Sequence, residues 1–182
     1  MGAGVVGATA PAHAAPPTPA FGPGIDGYQP YVGQGGCDPT AKAGVVDFRN
    51  LVLAAYPATG DSGITRPCDQ GGQSEHKEGR AWDWRVSAST QRATAEDLLT
   101  WLLATDQHGN RHALARRLGI MYVIFDARIW KAYEAGAGWQ PYGCSGVTDC
   151  HQDHVHFSFG WPGANRQTTW WTGEQAPQPV DP

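Results

Sequence analysis

The chain has 182 residues, 41% of them hydrophobic, enough for one compact domain with a real core and hardly enough for two. Only 16% are charged, and 13 Lys plus Arg against 17 Asp plus Glu leave a formal charge of -4. No basic run or basic helix face appears, which argues against a nucleic-acid partner. No apolar stretch approaches the roughly 18 residues of a membrane span.

Residues 1–14 run through small apolar residues to Ala12-His13-Ala14, an A-x-A pattern of the kind cut by signal peptidase. No Lys or Arg precedes it, so it reads as a truncated export signal, cleaved after Ala14. The expected location is therefore outside the cell. The four cysteines, Cys37, Cys68, Cys144 and Cys150, form no C-x-x-C pair, and an even count in an exported chain favours two disulfides. Three connectivities are possible. The favoured one is Cys144–Cys150, closing a short loop, with Cys37–Cys68 stapling an N-terminal arm to the body.

Residues 15–36 are rich in Pro and Gly with little periodicity, and read as a linker followed by an arm lying across the domain. Residues 37–172 form the domain, and 173–182 a tail. Asp38-Pro39-Thr40 offers helix-start chemistry before a helix that places Val45, Phe48, Val52 and Ala55 on one face, with Pro57 beyond its end. Residues 63–68, "GITRPC", suggest a short strand. In "GRAWDWRVS", Ala81, Asp83 and Arg85 alternate with Trp82, Trp84 and Val86.

The clearest helix covers residues 94–106, with Thr94 as N-cap, Asp97 at its third position, and Leu98, Trp101, Leu102 and Thr105 as a buried stripe. A second helix covers residues 111–118 and stops at Gly119. Residues 120–130, "IMYVIFDARIW", have the composition of a central strand, and residues 131–143 a turn and hairpin return. "DHVHFSF" alternates His154, His156 and Ser158 against Val155, Phe157 and Phe159. Residues 164–173 close the fold as a short helix. Eight Trp point to an aromatic core or a stacking groove. Helices and strands mix without a regular βαβ series, so the expected class is α+β with a mainly antiparallel sheet flanked by helices.

A catalytic zinc site needs three N or O ligands and one open position. His76 and Asp83 are such ligands, Gly79 between them allows a sharp reversal, and the strand with His154 and His156 on one face supplies a third. His151 lies outside that alternation and is a weaker candidate. Glu75 and Glu78 read as solvated loop charges, and Ser74 as a hydrogen-bonding residue beside the site.

Ser74-Glu75-His76-Lys77-Glu78-Gly79-Arg80-Ala81-Trp82-Asp83 matches S-x-H-x-x-G-x-A-x-D in full. With Asp153-His154-Val155-His156, it resembles the zinc D-Ala-D-Ala carboxypeptidases and related peptidoglycan peptidases, the group sharing its fold with lysostaphin-type enzymes and the hedgehog signalling domain. Secreted actinobacterial proteins carrying the same pair of motifs are also similar. The resemblance implies Zn2+ held by His76, Asp83 and His156. It implies Asp153 as the base acting on the attacking water and His154 as a group beside the metal or the transition state. Many members have Glu where this chain has Asp153, so the shorter side chain must be placed by its backbone.

The expected function is a secreted zinc metallopeptidase of the cell wall, acting as a monomer on peptidoglycan stem peptides, with D-Ala-D-Ala carboxypeptidase slightly favoured over endopeptidase. The alternative is a non-catalytic zinc-binding wall module of the same fold. Arg66, upstream of the first motif, and Ser74 are the expected substrate-binding residues. The Arg66 guanidinium suits a terminal carboxylate, and a surface salt bridge to Asp61 or Asp69 is the competing role.

Overall fold

A computed structural model describes residues 15–173; the segment 1–14, read from the sequence as an export signal, and nearly all of the tail lie outside them. The chain folds as α+β. Its six strands are β1 (Gly60–Gly63), β2 (Ala81–Arg85), β3 (Ile120–Phe125), β4 (Arg128–Lys131), β5 (Gln140–Pro141) and β6 (Val155–Phe159). They form one sheet in the order β1-β2-β6-β3-β4-β5, every pairing antiparallel. The helices are α1 (Ala43–Ala55), α2 (Arg92–Leu103), α3 (Ala113–Leu118) and two single turns, α4 (Trp161–Ala164) and α5 (Thr169–Thr172). Among the described residues, no helix is long and apolar enough to cross a membrane.

The period-2 patterns of β2 and β6 sort the sheet into two faces. Trp82, Trp84, Phe157 and Phe159 are buried in the hydrophobic core, together with Val45, Phe48 and Val52 from α1. The Phe48 ring sits edge-on at 5.1–5.8 Å from Trp82, Phe157 and Phe159, an aromatic geometry with its own favourable electrostatics. Tryptophan thus serves the core, with Trp82, Trp84 and Trp130 among the most buried large side chains. The opposite face of β2 and β6 carries Asp83, His156 and Ser158.

Two disulfides, Cys37–Cys68 and Cys144–Cys150, account for all four cysteines. The arm crosses the domain without a regular element. Polar clamps hold it: buried Arg117 donates to the carbonyls of Gly22 and Gly24, Asp26 accepts from the Thr169 backbone, and Arg80 donates to Val32 O.

Several element boundaries differ from the sequence expectation. The strand expected over 63–68 lies earlier, at Gly60–Gly63, and the following residues turn away to carry Arg66 past His76. Helix α2 begins at Arg92, so Thr94 is interior and Thr105 falls beyond the C-terminus; burial of Ala95, Leu98, Leu99 and Leu102 sets the helix face. Asp97 accepts a hydrogen bond from the Tyr56 hydroxyl at 2.7 Å instead of completing a cap. Helix α3 starts at Ala113 and ends, as expected, at Gly119 in the left-handed conformation. Residues 131–143 hold a 3-10 segment, Ala132–Ala137, before the return strand β5.

The "IMYVIFDARIW" stretch is a tight hairpin and not one strand. Asp126 and Ala127 both adopt positive φ (50° and 56°), the conformation that a two-residue hairpin loop demands. Glycine or Asn usually signals such a turn, and this one carries neither. Hydrogen bonds from the Asp126 and Ala127 amides to the carbonyls of His151 and Cys150, each 2.8 Å, hold it in place. Ala127→Gly relieves the Cβ strain of the left-handed conformation and should raise unfolding stability by about 1 kcal/mol. Denaturant titration checks this; an unchanged or lower midpoint would show that the turn is not strained at Ala127.

Candidate metal centre

Strand register makes the first half of the site. Asp83 on β2 lies directly opposite His156 on β6, and Ser158 pairs across with Ala81 on one side and Tyr122 on the other. Directly opposed residues hold their Cβ atoms about 5 Å apart, so the alternation in the two strands suffices to bring the carboxylate and imidazole together.

The second half comes from a short 3-10 turn, Glu75–Glu78. The Ser74 hydroxyl accepts from the His76 amide at its start, and Gly79 ends it at φ +64°. A Cβ on Gly79 would lie 2.0 Å from the Thr40 carbonyl oxygen, so both backbone conformation and space require glycine there. The Arg66 amide donates to His76 O, and the Cys37–Cys68 disulfide ties the same stretch to the arm.

His76 Nε2, Asp83 Oδ1 and His156 Nδ1 form a triangle with edges of 3.2, 2.9 and 3.3 Å. Three ligands at tetrahedral angles around an ion 2.0–2.1 Å away are separated by roughly 3.3 Å. The hydrogen bonds behind the two imidazoles decide what kind of atoms these are. His76 Nδ1 donates to Ile64 O at 2.8 Å, leaving Nε2 with its lone pair. His156 Nε2 donates to Ser158 Oγ at 3.0 Å, and that hydroxyl donates onward to Glu75 Oε2 at 3.4 Å. The Tyr122 hydroxyl also donates to Glu75, at 2.5 Å, and its ring stacks on His156. With both neutral tautomers set this way, three electron-rich atoms converge with no proton between them. A divalent cation satisfies that arrangement, and the partners behind each ligand are of the kind that orient metal-binding histidines.

The electrostatics agree. Burial opposes ionisation of Asp83, yet positive charge on the side of His156 and His76, whether a proton on either imidazole or a cation in its place, outweighs it and holds the carboxyl far below the usual range. Burial lowers the pKa of His156, keeping the imidazole in its ligating, neutral form.

Glu75 and Glu78 are buried, not solvated as the sequence suggests. Glu78 accepts from Arg80 Nε at 2.7 Å and from the Gly35 and Gly36 amides at 2.9 Å; Glu75 lies 3.9 Å from the same guanidinium. Arg80, fully buried, pairs closely with Glu78 and offsets part of the charge on Glu75, which is left to orient His156 through Ser158. Sequence reading missed this role, and missed Ser158 and Tyr122. Ser158 was within reach, since it shares the polar face with His156; Tyr122 depends on strand order.

His154 sits at the edge of the ligand triangle, its Nε2 3.7 Å from Asp83 Oδ1. Asp153 does not line the cleft that contains the triangle. Its carboxylate accepts from His154 Nδ1 at 2.6 Å and from the Thr148 hydroxyl at 2.7 Å. Burial works against ionisation there too, but those bonds prevail and keep its pKa below the ordinary value. His151, outside the ligand triangle, stands with its ring 4.6 Å from that of His154 and donates from Nδ1 to Asp149 O. Burial and the nearby His156 and His154 push its pKa down to about 4. The cleft has a volume of about 650 Å³ and is lined also by Arg66, Gln73, Ser74 and Tyr142. Neither Asp61 nor Asp69 pairs with Arg66; Asp61 faces Arg49 and Trp82.

Zinc should bind at one ion per chain, and replacing His76, Asp83 or His156 by Ala should abolish stoichiometric binding. Glu75→Gln and Ser158→Ala keep all three ligands but loosen His156, so affinity should fall about 10–100-fold. Competition with a chromogenic chelator measures both; wild-type affinity in the Glu75 and Ser158 variants would contradict the proposed orientation of His156.

No curated protein and no solved structure matches the chain significantly. A family model does match, over residues 37–155, well over half of the chain, including His76, Asp83, Asp153 and His154 and stopping one residue short of His156. On that match, the chain belongs to the family described as VldE, C-terminal domain.

Proposed function

We propose that the protein is a secreted zinc metallopeptidase that hydrolyses peptide bonds in peptidoglycan stem peptides. The observation that carries this reading is the convergence of three proton-free donors beside a histidine whose far nitrogen is held by a carboxylate. Zinc held by His76, Asp83 and His156 would make a water acidic enough to attack near neutral pH and would polarise the scissile carbonyl.

The protein's own groups supply the proton handling. With Nδ1–H committed to Asp153, His154 presents a bare Nε2 toward the site, suited to take a proton from the attacking water and return it to the leaving amine. Asp153 accepts one hydrogen bond on each carboxylate oxygen, from His154 and from Thr148, and has a lowered pKa, which makes it a weak base and a good orienting partner. The roles suggested by resemblance are therefore exchanged: His154 moves the proton and Asp153 positions it. Arg66, on the cleft wall with no carboxylate partner among the described residues, is suited to a free C-terminal carboxylate, which supports the carboxypeptidase reading.

The test is incubation of the zinc-loaded protein with muropeptides, with and without chelator, and mass analysis of the products. Chelator-sensitive loss of a terminal D-Ala is expected; intact muropeptides at full zinc occupancy would leave a binding module of the same fold. His154→Ala should lower turnover about 10²–10⁴-fold while zinc content stays near one. Asp153→Asn should also be impaired, through loss of the tautomer it enforces. A fully active His154→Ala enzyme beside an inactive Asp153→Asn enzyme would return the base role to Asp153.

A further inference from the structure

The cleft does not end at the ligand triangle. A second hollow, of about 400 Å³, shares Asp83, Thr148 and His154 with the first and continues past them, lined by Ser62, Arg85, Ser87, Gln91 and Asp153. Asp83, one of the three ligand residues, thus lies where the two hollows meet, with Arg66 in one hollow and Arg85 in the other.

The acids in these hollows are already engaged. Asp83 faces the two imidazoles, Asp153 accepts from His154 and Thr148, Glu75 from Tyr122 and Ser158, and Asp149 from the Ser145 amide, while Asp61, outside the hollows on the strand beside Arg85, is held by Arg49 and Trp82. Among the described residues, Arg66 and Arg85 therefore lack a carboxylate partner. Arg85 also has a defined place. It shares a face of β2 with Asp83, about 7 Å further along the strand, and its guanidinium lies across Gly60, where a Cβ would meet Nε and Nη2 at 2.5 Å. The absence of a side chain at Gly60 makes room for that position.

We propose that the substrate is an acidic peptide with a carboxylate on each side of the scissile amide, one bound by Arg66 and the other by Arg85. This rests on the peptidase reading and adds a substrate class to it. Two guanidiniums, one in each of the hollows that meet at Asp83, would fix the direction and register of an extended chain, which rises about 3.4 Å per residue. The carboxylate facing Arg85 belongs within about two residues of the cleaved bond.

Calorimetric titration of the zinc-loaded full chain with a diacid peptide, its scissile amide replaced by a ketomethylene group, tests this without turnover. Two partner peptides have one or the other carboxylate amidated. The wild type should bind the diacid on the order of tenfold more tightly than either monoamide. Arg85→Ala should erase discrimination at one carboxylate only, and Arg66→Ala at the other only. Unchanged affinity for the diacid in Arg85→Ala, loss of the same carboxylate's contribution in both variants, or no binding by the wild type would overturn the proposal. Cleavage of the amide form of the diacid is scored separately. Binding with the expected pattern but no cleavage removes the peptidase reading and keeps the two-carboxylate site; cleavage that ignores Arg85 does the reverse.

Discussion

Three electron-rich atoms held within 3.3 Å of one another are the constraint on which this structure turns. Left alone, two imidazole lone pairs and a carboxylate oxygen repel, and the chain spends much of its polar chemistry keeping them together. The Ile64 carbonyl takes the far proton of His76, and Ser158 with Glu75 takes that of His156. Burying Glu75 would be costly without compensation. Arg80 and the Tyr122 hydroxyl supply it, and Arg80 in turn is fixed by Glu78 and by carbonyls of Val32 and Phe159. The buried charge cluster, which looks like an expensive structural feature, is the support behind the His156 imidazole.

The loop leading to Asp153 and His154 is held from another direction. Cys144–Cys150 closes the segment that includes Thr148, whose hydroxyl anchors Asp153 against His154. The β3–β4 turn binds the carbonyls of Cys150 and His151 from below. A backbone hairpin with two left-handed residues therefore helps to place the imidazoles of His151 and His154. These bonds hold the left-handed conformation without a glycine: the turn's amides are committed to the loop that borders the cleft.

Much of this was legible in the sequence where one-dimensional pattern carries the information. Alternation in "AWDW" and "HVHFSF" assigns Trp82, Trp84, Phe157 and Phe159 to the core and leaves Asp83 and His156 on the other face, and the motif spacing brings His76 to them. Pairing register, strand order and the destination of buried charges are not local properties. Glu75 and Glu78 look like surface acids because their partner Arg80 and the Gly35 and Gly36 amides come from different parts of the chain. Asp153 reads as a base from its position in the motif, yet its direction is set by Thr148, five residues earlier and across a disulfide loop. The Asp126-Ala127 turn escaped notice because Ala at a positive φ gives no compositional sign. The arm, without periodicity, could be placed only by the carbonyls it offers to Arg117 and Arg80.

The site's chemistry depends on the identity of the three converging donors, and X-ray absorption at the zinc edge on the loaded protein addresses them most directly. The predicted first shell has two nitrogen donors and one carboxylate oxygen at about 2.0–2.1 Å, with one further light-atom position and no sulfur. Outer-shell imidazole scattering should be that of two rings, dropping to one in His156→Ala. A shell dominated by sulfur, a count of imidazoles unchanged by that substitution, or failure to load zinc at all would contradict the metal centre and the chemistry built on it.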